Sequence, residues 1–218
     1  MNVLKQHKIE LSGKIIYADH SPDETFVMVS DKSSPPLSEL IVPLNRESLN
    51  LYAEHLLREL GGMRKGSSTL ESGLEVVNEF WTEKGIFLNG FYPSDGSGLS
   101  RSNGISPRTL AEILRYMALG SNSDLFLNSL PLAGKTGTLQ SAFKGTMLEN
   151  NLRAKTGSMT RVRSMAGIFT NKTGKKVIFA IITNNFEGTQ ASARHSIEGF
   201  LNEIYFQDST SDKKQVTH

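Results

Sequence analysis

Three short patterns in this sequence could do chemistry together, and they are built from serine, threonine, lysine and asparagine. Ser-x-Asn occurs once, at Ser48-Leu49-Asn50, and Lys-Thr-Gly occurs three times, beginning at Lys135, Lys155 and Lys172. Ser-x-x-Lys occurs twice, at Ser141 to Lys144 and at Ser211 to Lys214. Such elements together make an acyl-transfer site, in which one serine attacks a carbonyl while lysines and a second hydroxyl move its proton. Each pattern is short, so order and structural context must choose among the copies.

The rest of the composition excludes other chemistries. The chain has no cysteine, which removes thiol nucleophiles, disulfides and Cys-ligated zinc together. Its histidines, His7, His20, His55, His195 and His218, fall in no metal-ligand spacing, so no metal is expected. Lys plus Arg at 24 against Asp plus Glu at 22 leaves a net charge of +2, with no basic block interleaved with aromatics, which argues against nucleic acid. No apolar run of about 18 residues is present, so no transmembrane segment is expected. The opening MNVLKQHKIELSGKII lacks the apolar run of a secretory signal.

The elements that must position these motifs follow from periodicity. At 218 residues and 38% hydrophobic, the chain can bury a core as one globular unit. GKIIYA (13–18) and ETFVMVS (24–30) read as strands, and DKSSPPLSEL reads as a loop because of its paired prolines. From Ser48, Leu49, Tyr52, Ala53, Leu56, Leu57 and Leu60 recur at helical spacing, and Gly61-Gly62 reads as the stop. A second helix is expected over 69–86, and a third opens with Ser106 as cap and Pro107 at its first position. Between them FYPSDGSGLSRSNG is a loop. RAKTGSM, VRSMAGIFTN and KKVIFAIITNN predict an antiparallel meander, and 190–205 predicts a helix with Ala193, Ile197, Phe200, Leu201 and Ile204 on one face. A polar tail follows, so the chain divides into 1–205 and a tail over 206–218.

Ser48 stands at the start of the first helix, where it is either a helix cap or a catalytic hydroxyl with Asn50 beside it. Among the three Lys-Thr-Gly copies, Lys172 falls at a hairpin tip and Lys135 in a loop bracketed by Pro131 and glycines. Only Lys155-Thr156-Gly157 begins a strand pattern. That suits a motif whose lysine faces the reacting centre, whose hydroxyl meets a carboxylate and whose glycine admits the substrate backbone.

Longer blocks carry a resemblance. SDKSSPPLSELI, NRESLNLYAEHLLRELGG, DGSGLSRSN, LPLAGKTGTLQSAFKGT, LRAKTGSMTRVRSMAGIFTN and TNN come in order and resemble the class C low-molecular-mass penicillin-binding proteins, the peptidase S13 family, over roughly 4–205. The resemblance implies an α/β (α+β) fold of the serine β-lactamase and penicillin-binding transpeptidase type, an antiparallel sheet packed with helices, here incomplete. It implies a serine-type D-alanyl-D-alanine carboxypeptidase, often also an endopeptidase, acting on peptidoglycan stem peptides that end in D-Ala-D-Ala. It implies no cofactor, β-lactam antibiotics as inhibitors, and a place in the periplasm or cell envelope.

By the family's pattern Ser48 relays a proton to the leaving amine, Asn50 holds the substrate amide, and Lys155 supplies positive charge and shuttles protons. Thr156 and Ser158 bind the terminal carboxylate, Gly157 permits close approach, and the Ser158 N–H is an oxyanion-hole donor. The loop from Asp95 to Arg101 is expected beside the cleft. The sequence departs from the pattern in one respect: no Ser-x-x-Lys precedes Ser48, while Ser141 lies in a block with a structural place in the family and Ser211 in the tail. The nucleophile is therefore expected outside this chain, which alone is expected to be inactive or to serve as a non-catalytic peptide-binding fragment. A β-lactamase reading would call for a deacylating group that these blocks do not suggest.

Overall fold

The computed structural model describes Lys8, Glu10 and residues 33–207. The chain divides into two compact units, Met1–Ser34 and Pro35–His218, and every element named below belongs to the second. The strands expected over 13–18 and 24–30, and Ser211, lie outside the described residues.

The first element is one the sequence did not suggest. After Pro35 and Pro36, α1 runs from Leu37 to Glu47, with Pro36 extended at its N-cap and Pro43 inside it. A proline inside a helix removes one hydrogen bond and usually signals a break. Here the helix, which carries the half-buried Leu40, Ile41 and Leu44, packs against the segments at 123–129 and 137–139.

Helix α2, Asn50–Lys65, passes straight through Gly61-Gly62 and stops at Gly66, whose φ of 72° gives the left-handed cap. The reason is contact with α3, Leu70–Glu83: a Cβ at Gly61 would lie 2.7 Å from the Ser67 carbonyl oxygen and 2.8 Å from the Gly73 nitrogen. The glycine pair is a packing surface rather than a stop. Thr69 caps α3 in a reciprocal box with Ser72. The expected apolar faces are thinner than the pattern suggested, because Tyr52, Leu60 and Phe80 remain about two-fifths exposed.

Helix α4, Pro107–Leu119, starts as expected, with the Ser106 side chain accepting from the Thr109 N–H. A short α5, Ser123–Ser129, for which the sequence offered no reading, follows, and a 3-10 turn, Gly137–Leu139, forms in the loop read around Lys135. The meander is confirmed: β1 (Arg153–Met159), β2 (Val162–Thr170) and β3 (Lys176–Asn184) form an antiparallel sheet in the order β1-β2-β3. Asn171 builds the β2–β3 turn, its Oδ1 accepting from the Thr173 and Lys175 N–H groups. Helix α6, Gln190–Phe206, closes the unit.

Strand alternation assigns the two faces of the sheet. Met165, Phe169 and Phe179 face α6, where they pack with Ile197 and Leu201 in a core completed by Leu139, Leu148, Leu152 and Ala154. Helix α4 packs on β3 and β2. Phe200, expected on the buried face of α6, is 52% exposed; the buried stripe is Ala193, Ile197 and Leu201.

Candidate functional site

The site forms where the junction of α1 and α2 meets the edge of β1. Ser48 sits between the helices with φ 57° and ψ 53°, as C-cap of α1, while Leu49 occupies the N-cap of α2 and offers no side-chain bond. The capping alternative for Ser48 is thus not what the fold uses. A left-handed non-glycine residue costs about 1–2 kcal/mol, so the neighbouring structure must hold the turn. It does so on several sides. Asn45 Nδ2 donates to Ser129 Oγ at 2.7 Å, and Arg46 Nη2 donates to the Asn128 carbonyl at 2.8 Å. Gly137, at φ 56°, packs its Cα against the Arg46 backbone, where a Cβ would meet the carbonyl oxygen.

From β1, Lys155 Nζ donates to Ser48 Oγ at 2.8 Å, joining residues 107 apart in sequence, and also to the Thr156 carbonyl at 2.9 Å. Burial pushes the Lys155 ammonium below its ordinary value. A lysine whose charged form is disfavoured, in direct contact with a hydroxyl, is a competent proton exchanger.

Alternation places Thr156 and Ser158 on the other face of the strand. Thr156 Oγ1 donates to Thr138 Oγ1 at 2.9 Å, and Ser158 Oγ donates to Gln190 Oε1 at 3.2 Å. Gln190 Nε2 in turn donates to the Met159 carbonyl at 2.6 Å, holding the end of β1 to α6. Gly157 lies opposite Ser164, whose hydroxyl would collide with any Cβ there. The selected motif therefore straddles a strand edge, with lysine and glycine to one side and two hydroxyls to the other. Among the described residues that outer edge is bridged only at Arg153, by Leu132. An unpaired edge of this kind can accept an extended peptide.

The structure brings Ser48 and Lys155 together, with Thr156, Gly157 and Ser158 on the same strand. Asn50 is the first residue of α2 and exposed, and among the described residues no side-chain hydrogen bond ties it to Ser48 or Lys155. The 95–101 loop is folded by Asp95, whose carboxylate accepts from Gly98 N–H at 2.5 Å and Ser100 N–H at 2.6 Å. It lies on the first turns of α2, where Glu54 Oε1 accepts from the Ser97 N–H at 3.0 Å.

The other motif copies have separate places. Thr136, of the first Lys-Thr-Gly, closes its own loop by accepting from the Leu132 N–H at 2.9 Å, while Lys135 is exposed. Ser141 is exposed and its hydroxyl accepts from Arg194 Nη2 at 3.4 Å. Among the described residues no group of three or more histidines, aspartates or glutamates could hold a metal ion. Sequence reasoning missed Thr138 and Gln190. Thr138 directly follows the discarded 135–137 copy, a position that only the fold relates to Thr156.

The sequence matches the D-Ala-D-Ala carboxypeptidase 3 (S13) family over residues 1–204. It is 32% identical over 166 residues to a D-alanyl-D-alanine carboxypeptidase of Actinomadura sp. strain R39, covering 74% of this chain and 31% of that protein. The structure superposes on penicillin binding protein 4 (dacB) of Haemophilus influenzae, solved in complex with a novel β-lactam. That likeness has a TM-score of 0.82 and 28% identity, over 94% of this chain and 49% of the other. The TLA-3 extended-spectrum β-lactamase shares the fold, with a TM-score of 0.57 and 19% identity over 76% of this chain and 64% of the other. The chain thus spans about a third of the curated relative and half of the solved penicillin-binding protein.

Proposed function

Because this chain belongs to the D-Ala-D-Ala carboxypeptidase S13 family, we propose that residues 1–205 form the C-terminal part of the penicillin-binding domain of a serine-type D-Ala-D-Ala carboxypeptidase. Its substrate is a peptidoglycan stem peptide ending in D-Ala-D-Ala, laid along the outer edge of β1, with endopeptidase action on cross-links as a related activity. The observation that carries the reading is the 2.8 Å contact between Lys155 Nζ and Ser48 Oγ.

In this reading Ser48 passes a proton to the leaving amine and Lys155 supplies and recovers it. Asn50 holds the substrate amide from the start of α2. Thr156 and Ser158 take the terminal carboxylate, Gly157 lets the peptide backbone approach, and the Ser158 N–H faces the developing oxyanion. In this reading the attacking serine comes from sequence outside this chain, because no Ser-x-x-Lys precedes Ser48, Ser141 lies in a block that resembles a structural segment of the family, and Ser211 belongs to the polar tail. β-Lactams are inhibitors of the complete site, and the protein works in the periplasm or cell envelope. Among the described residues no helix is long and apolar enough to cross a membrane.

Because none of the residues before Ser48 forms Ser-x-x-Lys, a second reading is a module that binds the peptide without reacting. Both readings require binding at the β1 edge. Calorimetric titration with an N-acyl-D-Ala-D-Ala peptide should show binding that Lys155→Met weakens about tenfold, the loss of roughly one charge-assisted hydrogen bond. Equal affinity in the variant would remove Lys155 from the site.

A further inference from the structure

Ser48 and Lys155 come from distant parts of the chain, yet both are tied to the last turn of α5. On the Ser48 side, Asn45 Nδ2 donates to Ser129 Oγ at 2.7 Å and Arg46 Nη2 to the Asn128 carbonyl at 2.8 Å. On the Lys155 side, Arg153, two residues earlier on β1, donates from Nη1 to the Leu127 carbonyl at 3.4 Å. The backbone repeats this second link. The chain leaving α5 passes through the almost wholly buried Leu130 and Pro131, the Pro131 carbonyl accepts from the Ala154 N–H at 3.1 Å, and Leu132 bridges Arg153.

Ser129 is the centre of this arrangement. It has no exposed surface, and its hydroxyl accepts from Asn45 while donating to the Phe126 carbonyl at 2.6 Å. A buried hydroxyl with donor and acceptor both engaged is fixed in orientation, and its removal leaves a partner unsatisfied. The two arginines are not placed there by ion pairing. Among the described residues neither has a carboxylate partner, and Arg46 Nε is buried without any hydrogen bond. Burial and, next, the charge of Arg46 push the Arg153 guanidinium below its ordinary value. Holding like charges together is unfavourable, and what the arrangement secures is a common attachment for α1 and β1.

Proton exchange between a hydroxyl and an amine needs the heavy atoms within hydrogen-bond reach, so small displacements of either segment matter. We propose that the last turn of α5, residues 127–129, sets the distance between Ser48 Oγ and Lys155 Nζ, with Ser129 and Arg153 as positioning residues that touch neither reacting atom. The chemical purpose of that distance rests on the peptidase reading above. The coupling itself does not.

The test is nuclear magnetic resonance of the 218-residue chain, following Ser48 Cβ and Lys155 Cε while Lys155 titrates. In wild type the Ser48 signal should move with the midpoint of Lys155, and in Lys155→Met that response should vanish. Ser129→Ala and Arg153→Gln should each shrink the Ser48 response about twofold or more while Lys155 still titrates, and Arg153→Lys should keep more of it than Arg153→Gln. Thr109→Val controls for general loosening, because Thr109 is 1% exposed and its hydroxyl likewise donates to carbonyls, those of Phe87 and Asn89; it should leave the Ser48 response whole. Should Ser129→Ala not fold, Arg153→Gln decides alone. An undiminished response in the α5-linked variants, an equal loss in Thr109→Val, or a wild-type Ser48 that ignores Lys155 would each overturn the proposal. No peptide takes part, so failure here is distinct from failure of the calorimetric test of the peptidase reading.

Discussion

At the scale of single residues, the site is a pair of compromises held by their neighbours. Ser48 keeps a left-handed backbone and Lys155 keeps a half-buried ammonium, and each is the other's hydrogen-bond partner. The partial burial of that ammonium has a consequence for stability. Because the folded-state value of Lys155 lies below its ordinary 10.5, the folded chain binds fewer protons than the unfolded chain between the two values. Stability therefore rises with pH through that window and levels off above 10.5. Lys155→Met removes this contribution while leaving the other lysines to titrate as before. The melting temperature of wild type minus that of Lys155→Met is expected to increase as the pH rises toward 10.5. A flat difference would mean that the ammonium is as well solvated in the folded chain as in the unfolded one.

At the scale of elements, the geometry of the proposed site depends on a loop that carries a decoy. The 135–137 copy of Lys-Thr-Gly has no direct place in the proposed chemistry, yet Gly137 supports the Arg46 backbone two residues before Ser48, and Thr138 meets Thr156. Gly137→Ala would add both left-handed strain and a collision with Arg46, whereas Gly174→Ala, at φ 78° with nothing within 4 Å, adds strain alone. Urea unfolding should find Gly137→Ala costlier than Gly174→Ala by about 1–3 kcal/mol. Equal costs would show that the loop yields and does not hold Ser48. Much of this level was legible in the sequence: the meander, the Ser106 cap, the last helix and the strand placement of Lys155 all follow from local pattern. What local pattern missed was set by partners distant in sequence. Helix α1 forms despite Pro43 with α5 and the 3-10 turn packed against it, and Gly61 stays helical because α3 lies against it. Thr138 and Gln190 gain their significance only when the chain brings them to β1.

At the scale of the whole molecule, the weight of the core is uneven. Leu139, Leu148, Leu152, Met165, Phe169 and Leu201 are almost wholly buried around the sheet and α6, whereas α1 has no buried residue and α2 has only Leu57 and Gly61. The half that carries Lys155 is thus firmly built, and the half that carries Ser48 and Asn50 is thinly covered. A chain spanning 31% of one relative and 49% of another holds the floor of the proposed site, with Ser48, Lys155 and the β1 edge in place. The central claim is that this floor receives the substrate while the attacking serine lies elsewhere. The most direct test is to incubate the purified chain with a fluorescent penicillin, then read intact mass and map any adduct, since an acyl-enzyme is a covalent ester. No adduct is expected from the 218-residue chain. A stoichiometric adduct on Ser48, Ser141 or any other serine of this sequence would contradict the claim and identify the nucleophile in its place.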